Sequence, residues 1–410
     1  MTFPRTAIVS HVLPPSPSGQ AVVLYRLLER VSPDRYCLIS RERYKDEACA
    51  GDASARLPGP YHRLAPPPRP IGVRRADPFS LRLTAAALAG VDARAREIAR
   101  IATDERCRLI VGCTGDLLDL PAAGLAGRRT GIPFVPWLFD DYVHQWTGPV
   151  RQVARRLEPA AFGRARGAIA PNEFLRAEYA RRRGVTAALV RNPCPMPDLD
   201  ALDRGGPVFG DGGIHIVYTG AVYRAHYDAF RNLIAALRLI GRPGARLHIF
   251  TAQTDAELAG AGISGPEVVR HSHIPQSEVP RVLRHATLLF LPLAFDSPIP
   301  EAVRTSAPGK TGEYLAAGRP ILVHAPGDSF VSWYFRTHGC GAVADRGEPG
   351  PLASVVAELL ADGELRSRLS REARRVAERD FDVGKIRAEF ERLLASFAAP
   401  GEEASRPCAS

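Results

Sequence analysis

No run of apolar residues in this chain approaches the roughly 18 that a membrane-spanning helix needs; runs such as Leu288–Leu291 are far shorter. The opening residues pass from Met-Thr-Phe-Pro-Arg-Thr into an apolar stretch ending at Val9, too brief for the core of a secretory signal, so the expected location is the cytoplasm. Cysteine is scarce. The seven present form an odd count without a Cys-x-x-Cys spacing, which argues against a disulfide framework and a structural zinc site and leaves reduced core thiols. The 36 Gly and 36 Pro follow no triplet, which excludes collagen-like and low-complexity character and leaves many turns between short elements. Also missing are a helix-turn-helix pattern, a zinc finger and a basic stripe interleaved with aromatics, so nucleic acid is not an expected partner. Lysine is nearly missing: Lys45, Lys310 and Lys385 stand against 51 arginines.

What remains is a chain of 410 residues, 45% hydrophobic and 24% charged, globular and long enough for two or three domain-sized cores. Its formal charge of +10 is unevenly spread: residues 1–200 hold 30 of the 54 basic and 20 of the 44 acidic side chains, and the remainder is neutral. A basic first half suits an anionic neighbour such as phosphates or an acidic lipid surface; a solvated, arginine-rich surface explains the same imbalance.

Short Val-, Ile- and Leu-rich runs alternate with helical stretches, the pattern of buried parallel strands joined by crossover helices. Strands are expected at Ala7–Val9, Tyr36–Ile39, Leu109–Val111, Phe134–Leu138, Ala168–Ala170 and Ala188–Val190. A second set is expected at Ile214–Tyr218, Arg246–Phe250, Leu288–Leu291, Ile321–Val323 and Ala342–Ala344. Between the sets, Asn192-Pro-Cys-Pro-Met-Pro-Asp198 and a Gly-rich run from Gly205 to Gly213 read as a linker. Leu57–Pro78, with Pro66-Pro67-Pro68, Arg69, Arg74 and Arg75, reads as a long loop. Leu352–Leu360, Leu365–Val376 and Phe381–Phe397 have helical periodicity, and the residues from Pro400 on read as disordered. The expected architecture is α/β: two doubly wound, Rossmann-like domains facing each other across a cleft. Residues 1–195 and 214–380 form the domains, 196–213 the linker, 381–398 a closing helix and 399–410 a tail. Ligands in such sheets bind at the carboxyl ends of strands, so chemistry is sought in the turns there.

Three such turns stand out. Pro14-Pro-Ser-Pro-Ser18-Gly19 follows the first strand; Gly19 lets a ligand approach the backbone at the start of a helix, while a tight turn with Ser18 as helix cap accounts for the same residues. Tyr218-Thr-Gly220-Ala-Val-Tyr-Arg224-Ala-His226 ends the first strand of the second set. Gly220 opens that turn, and Arg224 and His226 either direct charge and N–H donors at a phosphate or are ordinary surface residues. The third runs from Ser306 through Pro308-Gly309-Lys310-Thr311-Gly312-Glu313 to Gly318-Arg-Pro320. It places Pro308 at the first position of a short helix and Gly318 at its C-cap, with Lys310 and Glu313 in the first turn. A lysine there suits a diphosphate, and a glutamate accepts hydrogen bonds from a pair of ribose hydroxyls; a carboxylate that merely complements the helix dipole is the plainer reading of Glu313. Gly309-Lys310-Thr311 is not the P-loop of an NTPase, because the position five before Gly309 is Arg304 rather than glycine.

Tyr-Thr-Gly at 218–220, Pro308-Gly-Lys310 and Glu313-Tyr-Leu-Ala-Ala-Gly-Arg-Pro320 resemble the donor-binding half of GT-B glycosyltransferases, specifically the large retaining group called family 4. The Ser18-Gly19 turn is similar to that family's N-terminal glycine loop, and Phe381–Phe397 to its closing helix. The resemblance implies an enzyme of polysaccharide biosynthesis, without a cofactor, that transfers a sugar with retention of anomeric configuration. Its co-substrate is a nucleoside diphosphate sugar and its acceptor a saccharide or lipid-linked molecule. It implies that Glu313 binds the nucleotide ribose, that Lys310 and Arg224 hold the diphosphate as catalytic cations, and that Gly220, His226, Pro308, Gly309 and Thr311 line the donor site. One departure stands: the family often carries a second glutamate where this chain has Thr305.

On the acceptor side, Trp137-Leu-Phe-Asp140-Asp141-Tyr-Val-His144-Gln-Trp146 follows the fourth strand. Asp140, Asp141, His144 and the indoles there can bond and stack on a sugar, or the indoles pack in the interdomain core. Asp140-Asp141 is not the Asp-x-Asp metal motif of the other glycosyltransferase fold, so no catalytic metal is expected. The basic first half suits an acceptor on a lipid phosphate and peripheral contact with the anionic inner face of a membrane. Two other readings of the same fold stay open. A nucleotide-sugar 2-epimerase needs acid and base carboxylates about the sugar, and a non-catalytic nucleotide-binding protein is allowed by Thr305.

Overall fold

The computed structural model describes residues 3–42, 56–65, 81–210 and 212–399, the side chains of 81 and 82 excepted. The first sheet contains β1 (Thr6–Val9), β2 (Tyr36–Ser40), β3 (Tyr61–Arg63), β4 (Leu109–Cys113), β5 (Phe134–Trp137), β6 (Ala168–Ala170) and β7 (Ala187–Leu189). The second contains β8 (Ile214–Thr219), β9 (Ala245–Phe250), β10 (Val268–His271), β11 (Leu288–Pro292), β12 (Ile321–His324) and β13 (Ala342–Ala344). The spatial orders are β3-β2-β1-β4-β5-β6-β7 and β10-β9-β8-β11-β12-β13, and the ladders are parallel.

Crossover helices cover both faces of each sheet, which is why the central strands are apolar runs rather than alternating ones. In the first lobe these are α1 (Gly19–Leu28), α2 (Leu81–Asp104), α3 (Asp119–Thr130), α4 (Gly148–Phe162) and α5 (Glu173–Arg183). After α6 (Leu199–Arg204), the second lobe holds α7 (Tyr227–Ile240), α8 (Asp255–Gly260), α9 (Val279–Arg284), α10 (Pro300–Thr305), α11 (Lys310–Ala316) and α12 (Phe330–His338). The chain ends with α13 (Pro349–Ala361), α14 (Gly363–Asp380) and α15 (Val383–Ala398). Strand order reverses between β1 and β4 and between β8 and β11, so the loops leaving those strands diverge and open a crevice at the carboxyl end of each sheet.

The α15 helix packs on the first lobe although it follows the second. Its Ile386, Phe390 and Leu394 are buried with Leu38, Val111 and Trp137, and the Phe390 ring lies 4.9 Å from that of Trp137. The two passages between lobes are stitched together: Cys194 N–H donates to Phe381 O at 2.7 Å and Val383 N–H to Cys194 O at 3.0 Å. The α11 helix presses on this crossing, where a Cβ at Gly312 would come 3.0 Å from that of Cys194.

Two edge strands, β3 and β10, have no counterpart in the sequence reading. Tyr-His-Arg at 61–63 is polar and lies inside the expected loop Leu57–Pro78; pairing with β2, not its own composition, makes it a strand. The Pro66–Pro68 run, Arg69, Arg74 and Arg75 lie outside the described residues, as do 400–410 of the expected tail. The expected linker contains α6, capped by the Asp198 side chain accepting from Ala201 N–H.

Candidate active site

The α11 helix lies between the lobes and opens at Lys310, two residues later than Pro308, whose carbonyl accepts from Thr311 N–H at 3.0 Å. It is anchored to β8 by the Tyr314 hydroxyl, which accepts from Thr219 N–H at 3.0 Å. Lys310 therefore sits beside the turn that leaves β8, its Nζ 3.6 Å from the centroid of the Tyr218 ring. Gly220 makes that approach feasible: its φ is +113°, and a Cβ there would stand 3.3 Å from the lysine nitrogen. Burial, only partly offset by Glu313, lowers the Lys310 ammonium to about 7. An anion entering this crevice would restore its charge.

One turn further along, Glu313 lines an interdomain cavity of about 860 Å³. Pro14, Val22 and Tyr25 form the first lobe's wall; Pro275, Val279 and Leu283 form the second's. Glu313 Oε1 accepts from Arg26 at 2.5 Å and from Gln276 Nε2 at 2.7 Å. The remaining walls are largely apolar, so this carboxylate and its two donors concentrate the polar chemistry. Arg26 and Gln276 were missed by sequence reasoning. No motif marks Arg26 or Gln276, because their relevance comes from contacts far along the chain; Tyr218 stands in the Tyr-Thr-Gly motif but was given no role of its own.

The Ser18–Gly19 turn abuts the same place, where a Cβ on Gly309 would lie 4.0 Å from Gly19 Cα. Ser18 occupies the N-cap position of α1, but its side chain makes no capping bond. The N–H groups of Ala307 and Gly309 have no partner among the described residues. Thr311 is buried with its hydroxyl unpaired. His226 is also buried, its Nδ1 3.3 Å from the Tyr218 hydroxyl, and burial followed by the Lys310 charge holds the imidazole well below its usual range. It is neutral and brings no positive charge to a phosphate. Arg224 is exposed and has no ion-pair partner among the described residues.

The acceptor-side residues separate into two groups. Asp141 is buried and accepts from Val143 N–H and His144 N–H at 2.9 Å and from Arg182 at 2.9 Å. His144 lies 3.2 Å from the same guanidinium, which also reaches Glu158 at 2.7 Å. These two residues thus belong to an ion network that braces α4 and α5. Asp140 instead is exposed, close enough to Tyr223 of the second lobe to act on it; desolvation between the lobes and the Asp141 charge raise its carboxyl. Tyr223 is 53% exposed, and desolvation on its cleft side followed by the Asp140 charge raises its phenol. Trp137 is 2% exposed and packed on Phe390, so it offers no face to a sugar, and Trp146 packs against the core of the first lobe. Thr305 turns its hydroxyl back to Glu301 O at 3.2 Å, while its carbonyl accepts from Asn172 of the first lobe at 2.8 Å.

No protein-family model matches the chain, and no curated protein sequence matches it. Solved structures do. HepE of Anabaena in complex with UDP and glucose matches with a TM-score of 0.67 at 14% identity, over 96% of this chain and 100% of that one. Sucrose-phosphate synthase from Thermosynechococcus elongatus gives 0.66 at 14% identity, over 95% and 98%. A Listeria monocytogenes protein described as a UDP-N-acetylglucosamine 2-epimerase gives 0.55 at 12%, over 95% of each chain. The fold of this chain is that of the GT-B glycosyltransferases, two Rossmann-like lobes facing each other across a cleft.

Proposed function

We propose that this chain is a glycosyltransferase that moves a sugar from a nucleoside diphosphate sugar to a saccharide or lipid-linked acceptor, with retention at the anomeric carbon and without a metal ion. One observation carries the reading. A short helix between the lobes sets a crevice-bound lysine beside Gly220 and, one turn on, a carboxylate on the wall of an apolar cavity. That spacing suits a diphosphate and the ribose attached to it. The match to HepE, whose structure holds UDP and glucose, supports uridine nucleotides as the first donors to try.

In this reading the base lies between the apolar walls, and its ribose hydroxyls donate to Glu313 in place of Arg26 and Gln276. As the bond between the anomeric carbon and the diphosphate oxygen breaks, charge gathers on the leaving phosphate. Lys310, the unpaired N–H groups of Ala307 and Gly309 and the exposed Arg224 meet that charge in a site already organised for it. Enclosure between lobes keeps water from capturing the oxocarbenium-like sugar. The acceptor approaches from the first lobe, past Asp140. Among the described residues no group of three or more His, Cys, Asp or Glu side chains is placed to hold a metal ion, and a chelator is expected to leave transfer unchanged.

The test is a thermal-shift panel of UDP, GDP and ADP. A nucleotide at about 100 times its dissociation constant adds roughly 2.7 kcal/mol to the folded state. Lys310→Ala then weakens that nucleotide by about 1.5–3 kcal/mol, the worth of a hydrogen bond to a charged group. A panel with no shift removes the reading. The fold likeness to a 2-epimerase favours a second one, in which donor alone is isomerised; incubation without acceptor separates the two. No described helix is long and apolar enough to cross a membrane. Peripheral contact with an anionic membrane remains part of the proposal, and liposome binding that weakens with salt is its measure.

A further inference from the structure

On the side of the second lobe away from the cleft, α14 and the segments entering β11 and β12 enclose an open groove of about 1000 Å³. Thr287 and Pro320 on its floor immediately precede those strands. The groove therefore lies at the amino ends of the sheet, opposite the carboxyl ends that face the donor cavity. Six arginines line it, Arg284, Arg319, Arg366, Arg371, Arg374 and Arg375, against one carboxylate, Glu378.

The charges do not cancel. Arg284 pairs with Asp203 at 2.8 Å, Arg374 with Glu378 at 2.6 Å and Arg375 with Glu372 at 2.7 Å. Arg319, Arg366 and Arg371 have no carboxylate partner among the described residues. Two of these three are nonetheless fixed in place. Arg319 Nε donates to Ala286 O at 2.6 Å, and Arg366 Nη1 donates to Leu359 O and Leu360 O at 2.6 and 2.9 Å. A guanidinium that serves only solubility spreads into water, whereas these are held at backbone carbonyls within one concavity. Burial, then the neighbouring charges of Arg284 and Arg366, push the Arg319 guanidinium below its usual range. The groove thus concentrates like charge that Asp203 only partly offsets at Arg319, and an anion lowers that repulsion.

We propose that this groove is a second anion site, distinct from the donor cleft, that takes a ligand presenting two or more phosphate groups. Guanidinium forks match phosphate oxygens two at a time, which a lysine-lined site does not. The three arginines without a carboxylate partner come from the turn after α11 and from two turns of α14, so the groove offers more than one guanidinium to a phosphate-rich ligand. The ligand is either a free polyphosphorylated molecule or adjacent phospholipid headgroups, which share this chemistry.

Isothermal titration of the full chain with inorganic tripolyphosphate tests the site, in a Lys310→Ala background that weakens the cleft's contribution. Binding is expected in that background. Arg371→Gln, a change at an exposed position that leaves packing intact, is expected to weaken it about tenfold, and the added Arg319→Gln to abolish it. Absence of tripolyphosphate binding in the Lys310→Ala chain, or binding that Arg371→Gln does not move, overturns the proposal. Vesicles of phosphatidylcholine mixed with phosphatidylglycerol separate the sources. Capture that falls on Arg371→Gln supports headgroups; tripolyphosphate binding without capture supports a free ligand.

Discussion

Arg26, on α1 of the first lobe, and Glu313, on α11 of the second, are joined across the cleft by an ion pair with an N···O separation of 2.5 Å. The same guanidinium donates to Pro193 O at 2.9 Å, so one side chain ties both lobes to the chain crossing. The carboxylate proposed for ribose is thus already satisfied by Arg26 and Gln276, and a nucleotide exchanges partners there rather than meeting a bare charge. Arg26→Met leaves a nearly buried carboxylate with Gln276 alone. We expect the urea midpoint to fall by an amount equal to about 3 kcal/mol, the lower end for breaking a buried pair, while nucleotide binding survives. A loss below about 0.5 kcal/mol would place the contact among surface bridges.

Lys310 predicts a pH dependence of opposite sign to that of an ordinary lysine. Burial lowers it from 10.5 to about 7. Between those values the unfolded chain binds a proton that the folded chain does not, so stability rises with pH across that window and the penalty is complete below it. Lys310→Met should abolish this slope in urea melts taken from neutral to alkaline pH. Nucleoside diphosphate affinity should run the other way, falling as pH climbs through about 7, with proton uptake on binding visible as a buffer-dependent heat. Affinity that is flat with pH would remove the lysine from the phosphate site.

Gly220 adopts φ of +113°, and Lys310 Nζ occupies the space beside it. Gly220→Ala meets both objections at once. It should cost about 1–3 kcal/mol of stability for the backbone conformation and move the ammonium off the Tyr218 face. The readout that separates this from simple strain is nucleotide affinity, expected to fall alongside the melting temperature. Gly184, a left-handed helix terminus with φ of +63° and open space around it, is the control: Gly184→Ala lowers stability only.

How much of this was legible beforehand depends on where each signal resides. The central strands declared themselves because burial on both faces requires unbroken apolar runs, as in Leu288–Pro292. The α11 motif was legible because Pro, Gly, Lys and Glu each answer a local backbone or charge requirement. The edge strand Tyr61–Arg63 was not, since its strand character is conferred by β2. Arg26 and Gln276 were equally hidden, because they matter through contacts with a residue 287 and 37 positions away. The Trp137 indole, open in the sequence between sugar platform and core, was decided by a ring from α15.

Asp140 and Asp141 are neighbours in sequence with opposite electrostatics, and the contrast gives the last prediction. At Asp141, burial is outweighed by hydrogen bonds from His144 and Arg182, which hold the carboxyl well below its usual range. Its contribution to stability is present above the ordinary carboxylate value near 3.8 and is lost as pH falls below it. Asp141→Asn should therefore cost about 1.5–3 kcal/mol at neutral pH, because it removes charge-assisted bonds from Arg182, which keeps Glu158 and Glu178, and less in acid. At Asp140, an exposed residue, partial desolvation and the Asp141 charge raise the carboxyl, so its ionised form is at most a slight burden as pH rises from 3.8. Asp140→Asn should leave stability unchanged or slightly higher at neutral pH while slowing sugar transfer, since this carboxylate stands close to Tyr223 of the second lobe. Paired urea melts and initial rates check both. Loss of stability in Asp140→Asn, or full activity with it, would return Asp140 to the scaffold.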